Sequence, residues 1–367
     1  MTTKRNLLAL PLLLIAIMTV LIACGETNNK PSNSAPSKPP ASAATSSESP
    51  VTAATAAPLE KTSLSIGTAR DTQLSPLIIV AQEEGYFQEE GLDVKIELFA
   101  AGPDIVAALG SKSIQLGASG DIPPIIAKDS GLPIGIIAQQ ADISGVQTLV
   151  VNQELIKTPA DLKGKRVAYV PGTVSEALFL RIVEKYGLDS KSIKPFKIGP
   201  TEILPAFKSG NIDAFVIWQP VALNGVKQGG VALLTGKQSY VPGEEGPQQL
   251  ISPYSILVGH SDFLKENPET TKAVLRALNK SVAFISANPD AAAGHIGKTL
   301  EQDAEDIKTV LKLNHYALNL TPELVGSLES ISQFLVDNKK IKAIPDYKTF
   351  IDSSYLKAVD PALVTIP

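Results

Sequence analysis

Residues 64–85 read LSIGTARDTQLSPLIIVAQEEG, and a strand signal is followed there by a helix signal. The apolar run Leu64–Gly67 predicts a short strand. Ser75-Pro76 predicts a helix start, because serine caps a helix N-terminus well and proline suits its first position. Gly85 predicts the helix end, since glycine readily adopts the left-handed conformation after a last turn. This order indicates an α/β fold.

The same punctuation recurs along the chain and predicts alternating helices and strands. Helices are expected to start at Gly102-Pro103, Asp121 with Pro123, Thr158-Pro159 and Gly199-Pro200. Strands are expected at Ile114–Ala118, Pro133–Ala138, Arg166–Val170 and Ala214–Trp218. Such alternation predicts parallel sheets with both faces covered. Beyond Asp262 the pattern predicts helices over Phe263–Asn288, Ala291–Leu300, Glu305–Leu313 and Pro322–Lys339.

One internal similarity bears on the domain organisation. Residues 107–116, AALGSKSIQL, resemble residues 206–215, AFKSGNIDAF. Each predicts a helix end, a turn and a strand entry. The similarity indicates two lobes built alike, and a chance likeness between two ordinary joints is the alternative.

The first 24 residues predict export and lipid attachment. Lys4 and Arg5 precede Leu7–Ala23, which carries no charge, as in a secretory signal. The end of this run, Leu21-Ile22-Ala23-Cys24, resembles the lipobox of bacterial lipoproteins, which implies a signal peptide over residues 1–23 and a lipid on Cys24. Cys24 is the only cysteine, so no disulfide or thiolate metal site is expected. A retained membrane helix is the alternative, although the run is slightly short for one.

Composition divides the rest into a linker and a folded part. Residues 24–60 consist, after Cys24, mainly of Ser, Ala, Pro, Thr and Asn and bury almost nothing, which predicts a disordered linker. From Lys61 to Pro367, about 300 residues indicate two domains. The net charge is −4, with 37 acidic and 33 basic side chains. Since no basic cluster stands out, nucleic acid is not an expected partner.

The sequence offers no recognisable catalytic motif. Three histidines, His260, His295 and His315, lack metal-ligand spacing and are expected to be structural or exposed. Gly297-Lys298-Thr299 resembles the end of a phosphate loop, but Ala292 stands where the first glycine is needed. No nucleophile–base pair is evident. No cofactor, metal or enzymatic activity is therefore expected.

Polar residues and glycines concentrate where predicted strands are followed by helices. In open α/β sheets, ligands bind at the carboxyl ends of strands, where helix N-termini present free N–H groups. One by one, each candidate also has a structural explanation as a turn glycine, a helix cap or, for Trp218, core filling. Together they predict a cleft for a small ligand with an anionic head, lined by Arg70, Asp71, Ser119, Gly120, Asp121, Gly172, Thr173, Ser175, Trp218 and Gln219.

These same regions resemble the solute-binding proteins of ABC importers for nitrate, sulfonate, taurine and related solutes. The most specific block is Gly85-Tyr86-Phe87 followed by Glu90-Gly91-Leu92-Asp93-Val94. Further matching blocks are Asp161–Val167, Pro171-Gly172-Thr173, Trp218-Gln219-Pro220 and Glu266–Glu269. The resemblance covers residues 61–356, and none of its blocks is specific to one ligand.

The resemblance implies a two-lobed fold of the type II periplasmic-binding-protein class, each lobe a mainly parallel sheet flanked by helices. Two hinge crossings, near Gly145–Thr148 and Pro253–Ser255, would separate lobe I (61–147 plus 254–367) from lobe II (148–253). It also implies a monomer, lipid-anchored on the outer face of the bacterial cytoplasmic membrane. There it would deliver a small organic anion, of the aliphatic sulfonate type, to ABC permease subunits.

Two departures from the family pattern affect the choice of solute. Many relatives follow the Gly-Thr pair with small residues and a histidine, where this chain has Val174–Ala177. Most carry an acid between Trp and Pro, where this chain has Gln219, and the loss of a negative charge argues mildly against taurine. Nitrate, bicarbonate and a thiamin-pyrimidine-like heterocycle are alternative ligands. A lipoprotein that senses solute without transport is an alternative function.

Overall fold

The computed structural model describes residues 57–367. Its strands are β1 Ser63–Ala69, β2 Asp93–Phe99, β3 Leu116–Gly120, β4 Ile134–Asp142, β5 Thr148–Val151, β6 Arg166–Tyr169, β7 Lys194–Lys197, β8 Ala214–Ile217, β9 Val231–Thr235, β10 Gln238–Ser239, β11 Gly246–Pro247, β12 Tyr254–His260 and β13 His315–Asn319. Its helices are α1 Pro76–Glu83, α2 Tyr86–Glu89, α3 Gly102–Gly110, α4 Ile122–Asp129, α5 Val174–Lys185, α6 Pro200–Lys208, α7 Val221–Lys227, α8 Ser261–Glu266, α9 Pro268–Ala287, α10 Pro289–Leu300, α11 Ala304–Leu311, α12 Pro322–Asp337, α13 Tyr347–Phe350 and α14 Ser354–Val359.

The strands form two sheets, ordered β13-β4-β12-β3-β1-β2 and β11-β10-β9-β5-β8-β6-β7. The part built on the first sheet is called lobe I below, and the part built on the second sheet is called lobe II. The chain passes from the first sheet to the second between Asp142 and Thr148, and returns between Pro247 and Tyr254. The chain therefore crosses between the two lobes twice.

The sheets are mixed, and the expectation of mainly parallel sheets is corrected. In lobe I, β1 pairs in parallel with β2 and β3, but β12 is antiparallel to both β3 and β4. In lobe II, β6 pairs in parallel with β7 and β8, but β5 is antiparallel to β8 and β9. The reason is the direction of entry. Strands β5 and β12 arrive from the other lobe at the edge where their neighbours end, so they must run the opposite way.

The two lobes share one design, and the entering strands β12 and β5 hold the same place in it. The order β2-β1-β3-β12-β4 in lobe I corresponds to β7-β6-β8-β5-β9 in lobe II. The similar segments 107–116 and 206–215 end helices α3 and α6 and lead into strands β3 and β8, which hold the same place in the two sheets. The prediction of two lobes built alike is confirmed.

Local sequence explains one helix that differs from expectation. The predicted helix Phe263–Asn288 is two helices, α8 and α9, separated at Asn267. Pro268 has no N–H to continue the first helix, and it disfavours helical geometry at the residue before it. Asn267 accordingly has φ −132° and ψ 57°. Within the described part, no helix combines the length and apolarity that a membrane span requires.

Residues just before Lys61 already contact the folded part. Leu59 packs against the core of lobe I. The carboxylate of Glu60 accepts hydrogen bonds from the backbone N–H groups of Glu269 and Thr270, each at 3.0 Å, at the start of α9. A carboxylate is favourable at a helix N-terminus. This contact fixes the first strand of lobe I to its longest helix.

Two ion pairs join the lobes. Lys340 of lobe I donates to Glu176 of lobe II at 2.8 Å, and the Glu176 side chain is only 8% exposed. Lys227 of lobe II donates to Asp306 of lobe I at 2.6 Å. Each pair therefore connects the two lobes directly.

Candidate functional site

The N-termini of helices α3, α4 and α5 and the turn before helix α1 converge on a small cavity between the lobes. Three of these helices, α1, α3 and α4, belong to lobe I, and α5 belongs to lobe II. The cavity, called the inner cavity below, has a volume of about 20 Å³, which is room for about one water molecule. It is lined by Asp71, Gln73, Leu74, Gly102, Gly120, Pro123, Ile143, Gln147, Thr173, Val174 and Trp218.

The sequence explains why helices begin at this cavity. Proline stands in the first turn of α1, α3 and α4, where its fixed φ is already helical. Helix α5 is capped instead by Thr173, whose hydroxyl accepts from the N–H of Ser175 at 3.2 Å. First-turn N–H groups have no partner within a helix, and the helix dipole is positive there. Helix α4 supplies almost none of these donors, because both Pro123 and Pro124 stand in its first turn. The free first-turn N–H groups of α3 and α5, together with the helix dipoles, favour an anion between the lobes.

Asp71 is the acidic group at this cavity, and its charge is already partly compensated. One carboxylate oxygen accepts from the N–H groups of Gln73 at 3.0 Å and Leu74 at 2.8 Å. Burial nevertheless dominates and raises the pKa of Asp71 to about 6. Near neutral pH this carboxyl is therefore closer to protonation than an exposed aspartate, which reduces its repulsion of an anion.

A chain of amides links this acid to the first passage between the lobes. The side chain of Gln147 donates to that of Gln73 at 2.9 Å, and Gln73 in turn lies next to Asp71. Gln147 is fully buried, and the carbonyl oxygen of its side chain has no hydrogen-bond partner. Because Gln147 lies in the segment between β4 and β5, a group bound at the inner cavity would contact the first passage between the lobes directly.

Asp121 lies beside the cavity and is completely buried. One carboxylate oxygen accepts from the N–H of Tyr254, at 3.1 Å, and the other has no partner. Burial raises the pKa of Asp121 to about 7, and the hydrogen bond from Tyr254 offsets this only in part. Since Tyr254 begins β12, this contact ties the start of α4 to the second passage between the lobes.

The structure brings four of the predicted site residues together around the inner cavity: Asp71, Gly120, Thr173 and Trp218. Trp218 is only 5% exposed, and it packs in an apolar cluster with lobe II residues and with Ala101 of lobe I. The two interpretations of this residue are therefore compatible. It fills the core and forms one wall of the cavity.

The other predicted residues lie around this group without lining the cavity. Ser119 is buried behind it with an unpartnered hydroxyl, and Arg70 is exposed. Ser175 donates to the carbonyl of Val216 at 2.6 Å, so its hydroxyl ties α5 to β8. Their assignment to the ligand stays a prediction, as does that of Gly172 and Gln219. Cys24 lies outside the described residues.

Sequence reasoning missed several lining residues. Gly102 is the clearest, because a Cβ there would lie 2.9 Å from both the Ser119 hydroxyl and Pro123, closer than real contacts allow. The predicted helix start at Gly102-Pro103 could have indicated that Gly102 lies near the site. Gln73, Gln147 and Ile143 gave none, because nothing local distinguishes a buried glutamine or isoleucine at a hinge.

Two larger depressions adjoin the inner cavity. A hinge pocket of about 460 Å³ shares Val174 with it and is lined by charged and polar side chains, among them Arg181, Glu323 and Ser330. An outer groove of about 740 Å³ shares Pro123 with it. The groove is lined by apolar residues of α3, α4, the loop after α4 and the loop before α5, among them Val106, Ala107, Ile126, Leu132 and Pro171.

The NMT1/THI5-like family model matches residues 72–292, which is more than half of the chain. The chain belongs to this family. A protein of Escherichia coli K12 that is named an aliphatic sulfonates-binding protein is 34% identical to this chain over 214 residues. The aligned region covers 58% of this chain and 64% of that protein. The taurine-binding periplasmic protein of the same organism is 26% identical to this chain. The aligned region covers 80% of this chain and 93% of that protein.

Solved structures agree on the fold of this NMT1/THI5-like protein. The periplasmic aliphatic sulphonate binding protein SsuA from Escherichia coli has a TM-score of 0.66 at 24% identity, covering 79% of this chain and 97% of that one. The type II periplasmic-binding-protein fold is therefore confirmed. The same fold also serves catalysis, since the desulfurization enzyme DSZB has a TM-score of 0.62 at 13% identity.

Proposed function

We propose that this protein is the extracytoplasmic solute-binding component of an ABC importer and that it holds a small organic anion of the aliphatic sulfonate type between its lobes. The convergence of the N-termini of α3, α4 and α5 on one cavity carries this proposal, because that arrangement binds oxyanions without needing a cationic side chain. The named activities of the relatives in Escherichia coli supply the solute class.

The proposed mechanism is hinge closure. A cavity of about 20 Å³ admits no organic solute, whereas ligand pockets usually enclose about 300–1,000 Å³. The lobes must therefore open to load the solute and close upon it. We assign residues 61–147 and 254–367 to one lobe and 148–253 to the other, with bending at the two passages. The ion pairs Lys340–Glu176 and Lys227–Asp306 would favour the closed form.

Within this mechanism each site residue has a specific role. The backbone at Gly120 and the first turn of α5, at Thr173, would contact the oxyanion. Trp218 would cover its organic side. Ser175 and Gln219 would position the loops, since Ser175 holds the end of β8 and the Gln219 side chain accepts from the N–H of Leu223 at 2.7 Å.

We further propose that the protein does not catalyse a reaction. The inner cavity is lined by neither histidine nor cysteine, and the only cysteine of the chain is Cys24. Thr173 is the hydroxyl at the cavity, and the cavity lining offers no histidine to activate it for hydrolytic or transfer chemistry. Release of sulfite from a sulfonate incubated with the pure protein would contradict this.

The solute class is tested by thermal melting with a panel of methanesulfonate, taurine, nitrate, bicarbonate and an aminopyrimidine. A ligand at 100 times its dissociation constant stabilises the folded state by about 2.7 kcal/mol. In a domain of this size that raises the melting temperature by about 5 °C. We expect methanesulfonate to give this shift and the aminopyrimidine to give none. If no anion shifts the melt, the transport proposal is wrong.

We propose that Cys24 carries the lipid that keeps the protein beside its permease, where it acts as a monomer. The composition of residues 24–60 supports a flexible connection between anchor and lobes. We expect Cys24→Ser to move the protein from the membrane fraction to the soluble exported fraction while solute affinity stays the same. A variant that remains membrane-bound would favour a retained helix instead of a lipid.

A further inference from the structure

The outer groove is an unusually apolar surface at the mouth of the cleft. No charged side chain lines it. Apolar residues of α3 and α4 form its length, and Pro171 with Gly172 closes its inner end from the other lobe. Contiguous exposed apolar surface of this kind marks a binding site more often than chance exposure does.

The groove adjoins the inner cavity. Pro123 lines both, and the neighbouring pairs Gly102-Pro103 and Gly172-Thr173 each contribute one residue to the cavity and one to the groove. A molecule whose head lies among the helix N-termini can therefore extend past Pro123 along α4. Helix α4 has eight residues, so at 1.5 Å per residue the groove offers about 12 Å, enough for roughly eight carbons of an extended chain.

We propose that the outer groove binds the apolar chain of an amphiphilic organic anion, such as a medium-chain alkanesulfonate, whose head group occupies the inner cavity. This inference rests on the proposed function and narrows its substrate class. It favours solutes with a substantial hydrocarbon part over nitrate or bicarbonate, which have no chain to bury.

The hinge pocket is the competing place for the chain, and its chemistry is unfavourable. Arg181 and Glu323 line it, and an alkyl chain there would displace water from charged groups without replacing their hydrogen bonds. The Arg181 guanidinium lies 4.1 Å from the centre of the Phe334 ring and pairs with Glu184, so it is already engaged. An alkyl chain in the outer groove would displace water from no charged side chain, because none of the described residues that line it is charged.

The groove also connects chain binding to lobe closure. A Cβ placed on Gly172 of lobe II would lie 4.0 Å from Ile126 of lobe I, so the two lobes meet at the inner end of the groove. This end exists only while the lobes are together. A chain lying there contacts both lobes and so stabilises the closed form more than the open form.

The test is the dependence of affinity on chain length, measured calorimetrically with linear alkanesulfonates from one to eight carbons. Full burial of a CH2 group strengthens binding about fourfold, and half burial in an open groove about twofold. We therefore expect octanesulfonate to bind the wild-type protein roughly 100-fold more tightly than methanesulfonate. Ala107→Phe fills the groove from an exposed position of α3. It should weaken octanesulfonate at least tenfold and methanesulfonate less than twofold.

Ser330→Phe is the matched control, because Ser330 is exposed on α12 and lines the hinge pocket. It should alter neither affinity. Loss of octanesulfonate binding in Ser330→Phe but not in Ala107→Phe would place the chain in the hinge pocket and overturn the inference. Tight binding of every sulfonate with no chain-length dependence would overturn it too, while leaving the proposed function intact. Failure of all sulfonates to bind would overturn both.

Discussion

Trp218→Ala is expected to lower the free energy of unfolding by about 3–5 kcal/mol and to weaken solute binding at least tenfold. The stability loss follows from burial, because removing an almost fully buried indole leaves a cavity that the surroundings fill only in part. The affinity loss follows from the position of the ring in the wall of the inner cavity. Urea titration and calorimetry measure the two effects separately.

The conservative variant Trp218→Phe distinguishes the two roles. Because phenylalanine keeps an aromatic wall, it should restore most of the stability and part of the affinity. A Trp218→Ala protein that binds solute normally would show that the ring only fills the core. Since Trp218 is the only tryptophan, its fluorescence also reports solute entry directly in the wild-type protein.

Asp121→Asn is expected to raise the melting temperature at pH 8 and to leave it nearly unchanged at pH 5. Burial raises the pKa of Asp121 to about 7, above its unfolded value, so the folded protein binds more protons between about pH 4 and pH 7. Its contribution to stability is therefore complete below pH 4 and is lost as the pH rises through 7. The lost stability is about 2–4 kcal/mol, at 1.36 kcal/mol per pKa unit.

Asparagine removes the buried charge and keeps an oxygen that accepts from the N–H of Tyr254. The control is Asp262→Asn, because the pKa of exposed Asp262 is lowered by its hydrogen bond with Lys112 and its effect has the opposite sign. Thermal melts of the three proteins from pH 5 to pH 8 measure the difference. Equal melting temperatures of wild type and Asp121→Asn at pH 8 would contradict a buried charge at this position.

Local sequence signals predicted the helix starts that form the site. Serine, threonine, glycine and proline at a helix start act within one turn, so Ser75-Pro76, Gly102-Pro103 and Thr173 are recognisable without knowledge of the fold. The same locality explains the confirmed similarity of segments 107–116 and 206–215. Each describes a helix end and a strand entry that the chain builds from neighbouring residues.

Contacts between distant residues could not be predicted in this way. Gln73 and Gln147 are separated by 74 positions, and only the fold makes them neighbours. The strand β13, His315–Asn319, carries no strong strand signal and forms because β4 offers an open edge. The outer groove also escaped prediction. In the sequence its helices resemble ordinary amphipathic helices, and only the structure shows that no other element of the described chain packs over their apolar residues at the groove.

The mixed sheets have a consequence for how the chain assembles. Strands β5 to β11 lie in one uninterrupted stretch, residues 148–247, so the second sheet has all its members as soon as that stretch exists. The first sheet does not, because β3 and β4 share a neighbour, β12, that begins only at Tyr254. During synthesis, lobe II is thus complete in sequence while lobe I still has a gap at its centre. The half nearest the N-terminus is the last to become whole.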